Sequence, residues 1–441
     1  MSLPETTEVL IVGAGPTGLA CALTLYKEGC RDITIVDAVE HGQNSSRALA
    51  IHAATLEVLD SIGCARSLIE AGATHRTMKV WNIGDDHGAT LADFGPLKSS
   101  TRYPFVLIIP QTITERVLGD HVQSIGIQVL RPFKVVGVQS DKHDKNHTSV
   151  FFEGGQTVKA RYVIGCDGAK SAIRQAAGVD FKDPLEERST TDHNLDQIVL
   201  GDVTYTKPLP RLFDDPLFML SPTNLFLSVP FPYNEGDANR TYRVVCGVPP
   251  SSGPPPSQPG KAFLQDLVDN SGMNTVSSKV HGPSNVTINE VIWSSRFRTH
   301  SSIADTFFKR LEGDQGGAVI FIGDAAHIHP PAGGQGMNLG LRDAISLGPI
   351  LAARLRSSSS DDSPLRSWAD RRRQQGVTII HLTKTILGLA SVQNGGIVWM
   401  WNTVPLPILR STVRSWSLWI LAKSTWLQSQ VAWRLSGLGN K

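Results

Sequence analysis

The segment from Val9 to Asp37 leaves this chain the fewest choices of fold. Val9-Leu10-Ile11-Val12 is a short, wholly apolar run that suits a strand buried on both faces, and Gly13-Ala14-Gly15-Pro16-Thr17-Gly18 follows at once. Leu19, Ala22, Leu23 and Tyr26 then recur at helical spacing, Gly29 stops the helix, and Ile33-Thr34-Ile35-Val36 closes on Asp37. Strand, Gly-x-Gly-x-x-Gly, helix, strand and acid make one unit of a parallel α/β sheet. Gly13 permits the tight turn, Gly15 lets a pyrophosphate approach the backbone, and Gly18 lets helix and strand pack closely. The carboxylate of Asp37 suits a ribose diol. A dinucleotide-binding lobe is expected, and the motif alone does not choose between dinucleotides.

A second stretch, late in the chain, obeys the same logic. Val319-Ile320-Phe321-Ile322 reads as another buried parallel strand that breaks at Gly323 and puts Asp324 at its carboxyl end. In open α/β sheets that edge is where ligands sit. The following loop contains Pro330-Pro331 and Gly333-Gly334, so its backbone is both stiffened and able to approach a ligand. A helix is predicted to begin near Gly336-Met337-Asn338, with Leu339, Ile345 and Leu347 among its apolar positions. Its first N–H groups would hold a negatively charged atom. A polyol attached to an electron-accepting ring would suit both the carboxylate and the helix start. Between the two stretches, Tyr162-Val163-Ile164-Gly165-Cys166-Asp167-Gly168 reads as strand and Asp-Gly turn, with a helix running on through Arg174.

Composition narrows the function classes. A length of 441 residues allows a large core and more than one lobe, and 41% apolar with 19% charged residues describes a folded protein. The net charge of +2 gives no electrostatic case for nucleic acid, and Arg371-Arg372-Arg373 is expected to be a solvated helix face. Cys21, Cys30, Cys64, Cys166 and Cys246 are scattered without a Cys-x-x-Cys, which argues against a disulfide framework or a zinc site. A reducing, cytoplasmic location follows, and the acidic start running straight into strand and glycine loop is no signal peptide.

The run Gly323-Asp324-Ala325-Ala326-His327, then Pro330-Pro331, then Gly333-Gly334-Gln335-Gly336-Met337-Asn338, resembles the second FAD signature of the single-component aromatic-ring hydroxylases, the p-hydroxybenzoate and phenol hydroxylase group. The resemblance implies that Asp324 binds the ribityl chain and that the backbone of Gly336, Met337 and Asn338 faces the pyrimidine side of the isoalloxazine. It further implies a phosphate contact for Arg47, a flavin contact for Gln111 at the start of a helix, and a role for Asp167 toward both FAD and a visiting nicotinamide nucleotide. A guanidinium suits phosphate through its paired donors. An Arg common in that family before Thr55-Leu56-Glu57 is Ala54 here. His52 is taken as a structural histidine. The chain has no second Gly-x-Gly-x-x-Gly unit, so NAD(P)H would visit a groove on the FAD lobe.

The expected fold class is therefore α/β, a Rossmann-like FAD-binding lobe (residues 1–182 and 301–356) interleaved with a β-sheet substrate lobe (183–300), plus C-terminal helices (357–441). Val129-Leu130, Val135 to Val138, Ser149 to Phe152 and Thr157-Val158 read as antiparallel strands, and the substrate lobe is β-rich around a proline-rich loop, Pro249 to Pro256. Phe226, Phe231 and Tyr233 are pocket candidates, each more readily explained as ordinary core. Residues 310–317 form an expanded loop where the resembled family has a compact Gly-Arg. Seven tryptophans fall from Trp368 onward, broken by Pro, Arg and Lys, so a spanning helix is not expected. That segment is expected to pack on the FAD lobe, with peripheral membrane contact as the alternative.

The resemblance implies an FAD-dependent, NAD(P)H-using monooxygenase that hydroxylates a small aromatic, phenol- or polyketide-like substrate through a flavin C4a-hydroperoxide. Three alternatives stay open: a flavin dehydrogenase, a flavin halogenase, and a non-catalytic flavoprotein tethered by its Trp-rich tail. For the halogenase, Trp399-Met400-Trp401-Asn402-Thr403-Val404-Pro405 bears a superficial likeness to the Trp-x-Trp-x-Ile-Pro box, with one residue too many.

Overall fold

The computed structural model describes residues 2–40, 48–82, 88–185, 197–220, 225–232, 239–248, 252–271, 286–298, 300–313, 315–390 and 423–440. Arg47, Tyr233 and the tryptophans Trp399, Trp401, Trp416 and Trp419 lie outside the described residues, as does the halogenase-like run.

The glycine motif folds as its pattern requires, into β1 (Thr6–Val12), α1 (Pro16–Lys27) and β2 (Ile33–Val36). Further along come α2 (Ala53–Ser61), α3 (Gln111–Ser124), β3 (Thr157–Gly165) and β4 (Gln315–Phe321). The chain then continues through α4 (Gly336–Arg356), α5 (Ser363–Ala390) and α6 (Thr425–Ser436). An eight-stranded sheet is built on the parallel order β4, β3, β1, β2. Its central strands carry unbroken apolar runs because helices cover both faces: Val9, Leu10, Ile11, Val163, Ile164, Val319, Ile320 and Phe321 are completely buried. Helices α1 and α4 pack so closely that a Cβ on Gly348 would lie 2.0 Å from the Thr24 methyl.

Three sequence expectations are corrected here. Val129-Leu130 pairs parallel with β2, because α3 forms the crossover that returns the chain in the same direction. The expanded loop at 310–317 is an antiparallel hairpin between Phe308–Glu312 and β4, turned at Gly313 with φ +61°. Arg372 is no solvated face. It is 6% exposed, whereas its neighbour Arg371 is exposed, because the helical turn between them directs only one toward α4. The strands Thr157-Val158 and Tyr162 to Gly165 prove to be one, β3, antiparallel to Thr148–Phe152 in its first half and parallel to β1 and β4 in its second.

A second, seven-stranded sheet holds the strands from 197 to 298 and takes two more from earlier in the chain, Thr77–Asn82 and Ala89–Asp93. On one face Val199, Val203, Phe226 and Val244 form a core with Leu264 and Leu267 of a short helix. Phe226 thus serves as core. On β-strands of the same sheet, Arg243 grips Asp202 with two hydrogen bonds of 2.7 and 2.8 Å while stacking near Phe231 and Trp293. Helix α6 buries Ala432 and Leu435 in a third cluster with Ala53, Ala54, Ala92, Phe94, Val106 and Ile108, so the described part of the C-terminal segment packs on the fold. Among the described residues, no helix is long and apolar enough to cross a membrane.

Candidate functional site

Sheet register brings the three motifs together. Val12 aligns with Gly165 on one side and Val36 on the other, and Gly165 aligns with Phe321. The residues that follow, Gly13 after β1, Asp37 after β2, Cys166-Asp167 after β3 and Ile322-Gly323-Asp324 after β4, therefore leave one carboxyl edge side by side.

The glycines of the first loop divide by what surrounds them. A Cβ on Gly13, whose φ is +105°, would approach the Cys166 carbonyl oxygen to 2.3 Å, and one on Gly18 would approach the Gly13 carbonyl oxygen to 1.9 Å. Around Gly15 nothing lies within 4 Å, so the loop is open at the one position where α1 starts and its N–H groups point outward. Asp37 braces this loop: one oxygen accepts from the Ala14 N–H at 2.7 Å, the other from the Val39 N–H at 2.9 Å, with Arg131 at 3.2 Å.

Gly323 sits at φ +61°, where a Cβ would strike the Thr17 hydroxyl at 2.8 Å, and a Cβ on Gly340 of α4 would meet the same hydroxyl at 2.5 Å. Thr17, Gly323 and Gly340 thus lock α1, the turn after β4 and α4 against one another. The turn leaves Asp324 exposed at the sheet edge. Asp167 turns inward. Its Oδ2 accepts from the N–H groups of Ala172 and Ile173 at 2.7 and 3.3 Å, its Oδ1 is buried without a described partner, and burial pushes its carboxyl up.

At the start of α4, the Asn338 side chain is fully used within the protein. Its Oδ1 accepts from the His52 N–H at 2.9 Å, and its Nδ2 donates to the carbonyls of Ala50 and Gly334 at 2.8 and 2.7 Å. Gln111 holds the same segment from the other end, donating its N–H to the Ala48 carbonyl at 3.2 Å and accepting the Ala48 N–H at 3.4 Å. Residues 48–52 therefore run between Gln111 and the helix start. Met337 is buried. The Gln335 amide, just before α4, donates to the Leu435 carbonyl of α6 at 3.0 Å, so the C-terminal helix also steadies the loop.

Sequence reasoning missed the group that sets this edge from beneath. Asp343 is completely buried; it accepts from the Gly323 N–H at 3.2 Å and lies 2.6 Å from His327 Nε2 and 2.6 Å from Arg372 Nε. Burial raises its carboxyl, but Arg372 and His327 outweigh that and hold it below the ordinary carboxylate range. The only sequence signal was an acid within a helix otherwise apolar on that face. His52, taken as structural from the sequence, and His329, which sequence reasoning missed, are both buried: desolvation pushes each down to about 4, and each bonds one ring nitrogen to a backbone carbonyl, Gly333 at 2.8 Å and Pro330 at 2.9 Å.

An open glycine at a helix start, an exposed carboxylate at the next loop but one, and a second helix start beyond Pro330-Pro331 form a cradle for a long, phosphate-bearing ligand with a polyol and a polar ring. FAD has those parts, and the residues present fit it. Comparison with known proteins supports this. A family profile described as FAD binding domain matches residues 6–383. The rifampicin monooxygenase of Streptomyces venezuelae is 28% identical over 388 residues, covering 88% of this chain and 72% of that protein. The pentachlorophenol 4-monooxygenase of Sphingobium chlorophenolicum is 28% identical over 371 residues, covering 80% of this chain and 60% of that protein. Among solved structures, a p-nitrophenol 4-monooxygenase from Pseudomonas putida superposes with a TM-score of 0.71 at 21% identity, covering 99% of each chain.

Proposed function

This chain belongs to the FAD-binding-domain family, and on that premise we propose that it is an FAD-dependent monooxygenase that uses NAD(P)H and O2 to hydroxylate a small aromatic, phenol- or polyketide-like compound. The observation that carries the reading is the alignment of three loops at one sheet edge, closed by the start of α4. The named activities of the relatives, on rifampicin and on pentachlorophenol, support an aromatic substrate.

In this reading Gly15 and the start of α1 receive the pyrophosphate, Asp37 the adenosine ribose and Arg47 a phosphate. Asp324 accepts hydrogen bonds from the ribityl hydroxyls. Gln111 and the N–H groups of Gly336, Met337 and Asn338 meet the isoalloxazine, where the dipole of α4 favours negative charge on the pyrimidine. Asp167 steadies the intervening turn. A bound flavin would supply the oxygen-activating chemistry, with NAD(P)H as its reductant. The protein orients the ring, and the seven-stranded sheet covers it and excludes water. We assign residues 1–182 and 301–356 to the cofactor lobe, 183–300 to the substrate lobe and 357–441 to a C-terminal helical segment, with two strands from 77–93 lent to the substrate sheet.

The test is a panel of phenols and polyketide-like aromatics scored for stimulated NAD(P)H oxidation, followed by mass analysis of products formed under ¹⁸O2. One labelled oxygen in the product is expected. Unlabelled product identifies a dehydrogenase, and no stimulation by any aromatic contradicts the substrate class.

A further inference from the structure

The turn that presents Asp324 is tied at both ends to a single atom. Asp343 Oδ2 accepts the Gly323 N–H at 3.2 Å and lies 2.6 Å from His327 Nε2. An ionised carboxylate only accepts, so Nε2 carries its proton and donates. The other oxygen, Oδ1, accepts from Arg372 Nε at 2.6 Å. Between the two ends, the Ala325 carbonyl accepts from Arg174 Nη1 at 2.7 Å and the Ala326 carbonyl from the Ala304 N–H at 2.8 Å. Gly323, Ala325, Ala326 and His327 are buried, and Asp324 between them is exposed. The turn is thus pinned on either side of the one side chain that reaches the sheet edge.

Stability alone does not account for a charge at the position of Asp343. Its side chain is completely buried, as is that of His327, and apolar residues of similar volume often replace a buried ion pair without loss. An apolar residue could not join the residue that leaves β4 to the one that enters the short strand His327–Ile328. The segment between them is a three-residue 3₁₀ turn, Gly323–Ala325, closed by the Ala326 N–H on the Gly323 carbonyl at 2.8 Å. A turn so short, begun by a glycine at φ +61°, does not fix the direction of its middle side chain without outside anchors. A binding group has to be held within about 0.5 Å of its productive place by supporting hydrogen bonds.

We propose that Asp343 and His327 are positioning residues for cofactor binding, closing the turn into a clamp that aims the Asp324 carboxylate at the ribityl chain. This rests on the FAD reading above and extends it to two buried side chains that act through Asp324. Arg372, from α5, balances the charge of the clamp. The arrangement makes one strict demand: whatever His327 contributes to FAD binding must pass through Asp324.

FAD affinity of the apoprotein is measured for the unchanged chain, His327→Phe, Asp324→Ala and the double variant. Phenylalanine keeps a ring against Phe307, whose centroid lies 5.7 Å from that of His327, but donates no hydrogen bond. With Asp324 in place, His327→Phe should weaken binding about three- to ten-fold, a coupling typical of residues in one hydrogen-bond network. In the Asp324→Ala background the same change should weaken it less than about twofold. His327→Gln, whose amide can donate to Oδ2, should restore part of the affinity only where Asp324 is present. Equal losses in both backgrounds overturn the proposal, because a histidine that merely supports the fold weakens binding whether or not residue 324 is acidic. A Phe variant that binds FAD as tightly as the unchanged chain overturns it too. Should that variant not fold, Asp343→Glu, which keeps a charge for Arg372 and displaces the accepting oxygen, goes through the same cycle with the same deciding outcomes. An unchanged protein that takes up no FAD, or Asp324→Ala with undiminished affinity, refutes the FAD reading and the clamp with it. That result is distinct from ordinary FAD binding in which the loss at residue 327 ignores residue 324.

Discussion

Asp343 holds a full charge where no water reaches it, and its partners are what make that tolerable. Arg372 and His327 reach it from separate parts of the chain, and the Gly323 N–H hangs from the same carboxylate. Arg372→Met removes the cation and leaves the carboxylate undercompensated, a change that typically costs about 3–5 kcal/mol. Urea unfolding should show a loss of that order, and a loss below about 1 kcal/mol would mean that the pair is not buried as described. The two neutral histidines set a second expectation, on pH. The unfolded chain protonates its histidines near 6.5, whereas His52 and His329 resist protonation until about 4 in the fold. Between those values the unfolded state binds more protons, so stability falls as pH drops through that window and stops falling from this cause below it. The two residues together should contribute about 7 kcal/mol at most, taking 1.36 kcal/mol per pKa unit. Urea midpoints at pH 7, 5.5 and 4.5 test it: the variant carrying both His52→Gln and His329→Gln should show a much flatter decline, and an equal slope would contradict the assignment.

At the scale of elements, the helix pair α1 and α4 is held close by glycines that no propensity argument would place there. Gly348→Ala should raise the intrinsic helix preference of α4 by about 1 kcal/mol. Because the new methyl would lie 2.0 Å from the Thr24 methyl, we expect a net loss instead. Overpacking of this kind costs about 1–3 kcal/mol. Thr24→Ser removes the opposing γ-methyl and keeps the hydroxyl that donates to the Ala20 carbonyl, but the residue 24 Cβ still lies 2.9 Å from the new methyl, so the double variant should recover only part of the stability. Thermal unfolding of the two single variants and the pair reads the cycle, and additive losses would count against the contact. The same elements show what the sequence made legible. The strands of the parallel sheet, the loops after them and the start of α4 were plain because apolar runs ending in glycine allow little else. The direction of Val129-Leu130 was not, since two residues carry no periodicity and the crossover helix decides. Nor was the burial of Arg372, which depends on Asp343, a partner far off in sequence on another helix. Strand pairing between 77–82 and 217–220 is equally long-range, and the residues of Thr77–Asn82 bear no mark of it.

For the whole molecule, the account comes down to one ligand held across segments that are far apart in the chain. Sheet register sets the loops after β1, β3 and β4 abreast, α3 and α4 close them through residues 48–52, and α6 braces the last turn through Gln335. A cofactor bound this way should be retained by the intact fold and loosened by damage at any one loop. The most direct measurement is titration of the purified apoprotein with FAD, followed by the flavin's visible absorbance, beside the same titration of Asp324→Ala. Saturation at one FAD per chain is expected, with affinity lowered about ten- to a hundred-fold in the variant, the equivalent of charge-assisted hydrogen bonds worth roughly 1.5–3 kcal/mol. A protein that takes up no FAD, or a variant that binds it as tightly as the unchanged chain, would contradict the account.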